Sequence, residues 1–309
     1  MPRLELTPRA PYDFRRAALF FSSRSSLPVG HGITGQNGSP ELTLVTTLNN
    51  APVEITIARR SNLQGPLRVQ WRQLQWRSAH TVTAEVKNSE VERFVRRTFS
   101  LDLDLRDFYR ALAPHGKLAP MATSLRGLKP TLTDTVLDAA IWAIVGQQVT
   151  LSFARILRAR IFSAYGRAVD WRGARIHLTP QPERLARASL KKLRSLQLSE
   201  NKARYLKELA GLIAKGSLNL EQLREMEHDS ALERLLALKG IGPWTANYIL
   251  MRGAGRLDAL PVGDAGLNRA LVKVFNLSER PTSEKATALA EPFRPYRSLF
   301  TLYLWQAHA

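Results

Sequence analysis

The sequence predicts an α+β protein: a twisted antiparallel sheet with a helix or two, followed by a mostly helical region. Three observations carry this reading. Between Glu41 and Arg60, ELTLVTTLNNAPVEITIARR alternates apolar and polar residues on either side of an Asn-Asn pair, the pattern of two strands joined by a tight turn. Beyond about residue 100, apolar residues recur at spacings of three and four, and glycines close the runs. A chain of 309 residues also exceeds the usual size of one core, which allows two or three packed units.

Taken in order, PYDFRRAALFFSSR starts at a proline and has helical spacing. After the Asn-Asn hairpin, LRVQWRQLQWR and HTVTAEV continue as strands, and SEVERFVRRTF follows as a helix that Ser89 can cap. From DLDLRDFYRAL onward the strand signals stop. TDTVLDAAIWAIVGQQVTLSFARILRARIF keeps helical spacing over most of its length, with Gly146 as an interruption that marks a bend or a close approach. NKARYLKELAGLIAKG and DSALERLLALKG each end on a glycine stop. The boundary is placed so that residues 1–110 form the sheet unit and 111–309 the helical one. No solenoid period or low-complexity tract occurs.

Lys and Arg number 45 against 26 Asp and Glu, and the resulting net charge of +19 favours a polyanionic partner, nucleic acid first. The absence of cysteine excludes disulfides, thiol nucleophiles, cysteine-ligated zinc and iron–sulfur clusters, and fits a reducing compartment. The N-terminal stretch carries an early acid and a five-residue apolar run, neither a signal peptide nor a membrane span, so the expectation is a soluble intracellular protein.

The stretch LKGIGPWTANYIL, residues 238–250, sets Gly240 and Gly242 around Ile241 just before Pro243. Read plainly, this is a helix C-cap and turn, with proline at the first position of the next helix. Such a hairpin also presents something: two glycines admit a ligand close to the backbone, and the N–H groups at the start of the following helix suit a phosphate. Downstream, Asp264 precedes AGLNRALVKVF and is placed to cap that helix. Asp258 is read as a loop residue.

At this point the chain resembles a known family. LKGIGPWTANY followed by Asp264 is similar to the helix-hairpin-helix and Gly/Pro-Asp signature of DNA base-excision glycosylases, in particular the alkylation-repair branch, DNA-3-methyladenine glycosylase II. PYDF near the N-terminus, IVGQQVTLSFA and RPYRSLFTLYLW extend the resemblance over nearly the whole chain.

The resemblance implies an N-terminal sheet domain and two helical subdomains around a cleft, with the hairpin near residues 230–255. It implies base flipping in duplex DNA and a catalytic carboxylate at Asp264, a role compatible with capping. It places Phe20, Trp244, Tyr248 and Trp305 around the base pocket, where aromatic faces would attract a cationic alkylated base. For Phe20, core packing is the competing reading. Gly240, Gly242, Thr245 and Lys239 would face DNA at the hairpin. Gln148 stands where the family inserts a wedge into the duplex; the well-known form of the branch has leucine there, and glutamine could hydrogen-bond an orphaned base. The competing reading is a solvated helix residue.

Bifunctional members carry a nucleophilic lysine at the position of Trp244, so the resemblance implies a monofunctional enzyme that uses water. It implies no organic cofactor, a monomer, and a sodium or potassium ion at the hairpin carbonyls of Leu236, Leu238 and Ile241. The rival readings are a DNA-binding protein without chemistry and a glycosylase for oxidised or deaminated bases. Arg155, Arg158 and Arg160 are expected to contact the DNA backbone. For Arg59, Arg60, Arg68, Arg72 and Arg77 two readings stand, a DNA-binding face or a solvated sheet surface.

Overall fold

A computed structural model describes residues 1–24, 40–59, 65–77 and 84–308. Four strands, β1 (Arg3–Leu6), β2 (Glu41–Leu48), β3 (Ala51–Arg59) and β4 (Leu67–Gln73), form an antiparallel sheet in the order β1-β4-β3-β2. The β2–β3 turn consists of Asn49 and Asn50, at φ 46 and 61. Two successive left-handed residues match the twist of a two-residue hairpin, and Asn tolerates that conformation better than other non-glycine residues. Register follows, with Leu48 opposite Ala51, Leu44 opposite Ile55, and Ile55 opposite Trp71.

One face of the sheet, with Leu42, Leu44, Val53, Ile55, Ile57 and Val69, packs against α1 (Phe14–Arg24) and α2 (Asn88–Thr98). Asp13 caps α1, its Oδ1 accepting the Arg16 N–H at 2.9 Å. The other face carries Val45, which joins a small cluster with Trp76, Val169, Trp171 and Leu178. The last three belong to a hairpin of β5 (Ala168–Trp171) and β6 (Ala174–His177) and the residue just after it.

Several expectations need correction. Strand signals do not stop near residue 100, since β5 and β6 lie within the helical half, turned by Arg172 and Gly173 at φ 50 and 78. Strand β1 was not expected. In HTVTAEV, residues 80–83 lie outside the described residues, and Ala84–Val86 form no strand. Ser89 does not cap α2, because the helix begins one residue earlier, with the Lys87 N–H donating to Glu90 Oε2 at 2.8 Å. Arg60 lies outside the described residues. Arg59 is buried, donating to the Tyr12 carbonyl at 2.7 Å, while Arg72 pairs with Glu54 and Arg77 with Asp170. Arg59 and Arg72 thus brace the sheet unit internally, and Arg77 ties it to β5.

The helical part follows with α3 (Arg106–Leu112), α4 (Ala119–Ser124), α5 (Val136–Gly146), α6 (Leu151–Tyr165), α7 (Pro182–Arg187), α8 (Leu190–Arg194), α9 (Glu200–Ala214), α10 (His228–Leu236), α11 (Pro243–Ile249), α12 (Ala265–Phe275), α13 (Ser283–Ala290) and α14 (Arg297–Ala307). Helix α5, DAAIWAIV, is apolar on every side except at Asp138, and such a helix belongs at the centre of a core. The extended run around Gly146 is two helices, broken by residues 147–150. Arg158 faces inward on α6 and pairs with Asp138 of α5, both buried, so it cannot serve the DNA backbone as expected. A buried aspartate on the central helix needs a cation beside it. Among the described residues no helix is long and apolar enough to cross a membrane.

Candidate active site

The hairpin forms where α10 stops and α11 begins. Gly240 sits at φ 81, and a Cβ there would come within 2.2 Å of the Tyr205 ring from α9, so both backbone conformation and packing demand glycine. Gly242 caps α11 and is exposed, with nothing within 4 Å of a Cβ built on it. Lys239 is exposed at the same turn. Thr245 is 2% exposed and its hydroxyl accepts from Gln147 at 3.0 Å, so its side chain turns inward rather than toward a phosphate.

Beyond α11 the helix continues as one π-turn, Leu250–Ala254, and the chain then runs through residues 255–263 to α12. That loop is pinned from two sides. Asn247 of α11 accepts the Leu260 N–H at 3.1 Å. From α14, Ser298 donates to the carbonyls of Arg256 and Ala259, and Arg297 pairs with Asp258 at 2.8 Å. Asp258 thus sits in a turn, as read from the sequence, where it anchors α14. Arg280 holds the last loop residue through the Gly263 carbonyl at 3.1 Å.

Asp264 follows as the N-cap of α12. Its Oδ1 accepts the Leu267 N–H at 2.8 Å and the Trp305 indole N–H at 2.9 Å, and its Oδ2 accepts the Trp244 indole N–H at 3.3 Å. All three donors are neutral, so they orient the carboxylate without cancelling its charge. Gly266 makes the approach possible, since a Cβ there would lie 3.1 Å from Asp264 Oδ1 and 3.2 Å from the Trp305 ring.

Trp244, Tyr248 and Trp305 form a continuous aromatic wall beside the carboxylate. Their ring centroids are 5.5 Å apart for the first pair and 6.5 Å for the second, both tilted. Residues 244 and 248 share a face of α11 because they are one turn apart. Phe20 is buried in the same core as Tyr248 and Trp305, 2% exposed against 4% for each of them, with its ring under the Arg252 guanidinium at 4.8 Å.

Gln148 is exposed and has a left-handed backbone at φ 54, in the turn between α5 and α6 rather than on a helix. Two residues the sequence reading missed hold that turn. Gln147 Nε2 donates to the Gly240 carbonyl at 2.9 Å, and Lys202 Nζ donates to the carbonyls of Val145 and Gln147 at 2.8 and 2.7 Å. Of the other arginines on α6, Arg155 donates to the Ser23 carbonyl at 2.9 Å and Arg160 to the Leu196 carbonyl and Gln197.

The family model described as HhH-GPD superfamily base excision DNA repair protein matches residues 141–295, from the middle of α5 past the hairpin and Asp264. The chain belongs to this superfamily. A DNA-3-methyladenine glycosylase of Bacillus subtilis is 32% identical over 220 residues, covering 71% of this chain and 73% of its own. The solved 3-methyladenine DNA glycosylase from Archaeoglobus fulgidus matches 100% of this chain and 98% of its own, with TM-score 0.78 and 24% identity. An 8-oxoguanine glycosylase/lyase of Clostridium acetobutylicum, solved in complex with double-stranded DNA, matches 99% and 97% with TM-score 0.73 and 15% identity. Glycosylases named for different bases therefore share this fold, and the chemistry must be argued from residues at the site. In this HhH-GPD chain Trp305 and Phe20 lie outside the matched segment, and α14 brings Trp305 back to Asp264.

Proposed function

We propose that this HhH-GPD protein is a monofunctional DNA glycosylase that excises alkylated purines, 3-methyladenine and 7-methylguanine, from duplex DNA. The observation that carries the reading is the carboxylate of Asp264, held by two indole N–H groups at the end of an aromatic wall. An alkylated purine is cationic and electron-poor, so the faces of Trp244, Tyr248 and Trp305 favour it by about 0.5–2 kcal/mol for each stacked ring. The base must leave the duplex stack to reach them. As its N-glycosidic bond breaks, positive charge develops on the sugar, and the Asp264 carboxylate stabilises it and orients the attacking water. Oδ2, with its single long hydrogen bond, has the freer lone pairs for that task.

Where bifunctional members carry lysine this chain has Trp244, and an indole that donates to Asp264 forms no Schiff base. The product is an abasic site in an intact strand. The exposed edge of the hairpin, with Gly242, Lys239 and the backbone of Gly240, grips the phosphates, and Gln148 enters the gap left by the extruded nucleotide. A sodium or potassium ion would fit the hairpin carbonyls of Leu236, Leu238 and Ile241. The Leu238 oxygen accepts the Ile241 N–H at 3.1 Å and has a second lone pair to offer. The enzyme acts as a monomer, without an organic cofactor, in a DNA-containing compartment.

The test is to incubate the protein with methylated duplex DNA and identify the released bases. Release of 3-methyladenine and 7-methylguanine, with strands intact until treated with base, is expected. Release of uracil or 8-oxoguanine alone, or an enzyme–DNA adduct trapped by borohydride, would overturn the reading.

A further inference from the structure

Helix α5 ends at Gly146, where its last carbonyls lose their helical partners. Lys202, 9% exposed on α9, meets this end: its ammonium bonds the Val145 and Gln147 carbonyls and lies at the negative pole of the helix dipole. Burial lowers the pKa of Lys202 below the ordinary lysine value. One turn further along α9, Tyr205 fills the space over Gly240. A single helix therefore braces both the turn and the hairpin.

Gln147 joins the two directly. Its amide nitrogen reaches the Gly240 carbonyl and the Thr245 hydroxyl, and because a carbonyl only accepts, the nitrogen must face the hairpin. Next to it, Gln148 holds a left-handed backbone that a non-glycine residue adopts only where its surroundings over-determine it. The bonds of Gln147 and Lys202 supply that constraint on one side of the turn. On the other, Thr150 caps α6, accepting the Phe153 N–H at 3.3 Å.

We propose that Gln147 and Lys202 are positioning residues that lock the exposed side chain of Gln148 in register with the hairpin, so that seating the hairpin on the phosphates drives Gln148 into the duplex. This rests on the reading of Gln148 as the inserted residue. The consequence is specific. Insertion offsets the cost of opening a base pair, so loosening the register slows excision most where the target pair is stable and least where it is mismatched.

The experiment uses the full chain and two duplexes that carry 7-methylguanine, opposite cytosine or opposite thymine. Single-turnover excision is measured for the parent, Gln148→Ala, Gln147→Leu, Gln147→Glu, Lys202→Met and Lys202→Arg. In parallel, 2-aminopurine placed opposite an abasic analogue reports unstacking on binding. Gln147→Leu and Lys202→Met are expected to slow both duplexes, but the paired one about tenfold more, a difference of about 1.4 kcal/mol in barrier. They should also lower the 2-aminopurine signal. Gln147→Glu should be worse than Gln147→Leu, because two acceptors then face each other, and Lys202→Arg should restore most of the paired rate. Equal slowing of the two duplexes by Gln147→Leu, with the 2-aminopurine signal retained, would overturn the proposal. Should Lys202→Met fail to fold, Gln147→Leu, close to glutamine in size, decides alone. If Gln148→Ala shows the pairing dependence and Gln147→Leu does not, only the positioning role falls. If Gln148→Ala shows none, the insertion reading falls and the proposal with it.

Discussion

Replacing the two hairpin glycines one at a time separates the demands of the fold from those of the ligand. At Gly240, φ is 81 and an added Cβ would lie 2.2 Å from the Tyr205 ring. The left-handed backbone alone costs a non-glycine residue about 1–2 kcal/mol. Displacing a packed ring adds about 1–3 kcal/mol of overpacking. Gly240→Ala should therefore lose about 2–5 kcal/mol, which at about 2–4 °C for each kcal/mol lowers Tm by roughly 4–20 °C. Gly242 differs: its φ of −89 and ψ of −180 suit any residue, and nothing lies within 4 Å of the added atom. Gly242→Ala should change stability by no more than about 0.5 kcal/mol, while the new methyl stands where a phosphate must approach the backbone. The assay pairs a calorimetric melt with the affinity for a duplex bearing an abasic analogue. A parental Tm in Gly240→Ala would refute the packing argument. Parental affinity in Gly242→Ala would refute the hairpin as the phosphate grip.

Three further outcomes are expected. Burial pushes the Asp134 carboxyl up to about 6, although Thr46 and Thr179 donate to it, so the folded state favours its neutral form. Its contribution is present below about pH 4 and lost as pH rises through 6, and Asp134→Asn should flatten the Tm profile over that window and add about 3 kcal/mol near pH 7. An unchanged slope would contradict this. Trp305→Phe keeps a smaller aromatic face but removes the donor to Asp264 Oδ1; a hydrogen bond to a charged group is worth about 1.5–3 kcal/mol, so kcat should fall about tenfold or more with DNA affinity little changed. An unaltered kcat would show that the indole N–H has no part in holding the carboxylate. Affinity of the parent for abasic-analogue duplex should fall steeply with salt, since phosphate contacts release counterions, and a flat salt titration would contradict that.

What the sequence made legible was whatever depends on local chemistry. The Asn-Asn turn, the glycine stop after α9, Pro243 at the start of α11 and Asp264 as the cap of α12 all follow from backbone preferences within a few residues, whereas α10 stops at Ala237, before the expected Gly240. Strands β1, β5 and β6 were not legible because each has four residues, too few for alternation to register, and exists only through its partner. Arg158 shows how a reading by sequence neighbourhood fails. It sits among surface arginines in the sequence, but the helical period turns it inward to Asp138. The grouping of Trp244, Tyr248 and Trp305 into one wall came only through resemblance, since Trp305 lies on a helix far along the chain from the other two. Gln147 and Lys202 left no local signal, since their roles arise from contacts between α5, α9 and the hairpin, far apart in the chain.

The most direct test of the account is Asp264→Asn, with single-turnover excision and DNA affinity measured side by side. Asparagine keeps the oxygen that caps α12 and accepts from Trp305, so fold and affinity should stay near those of the parent. The second oxygen becomes an amide NH2, so the charge facing the developing cation and the long bond from the Trp244 indole are lost together, and excision should slow by on the order of a hundredfold or more. Excision at the parental rate would mean that Asp264 is a helix cap and nothing else, and the mechanism proposed for this site would be wrong.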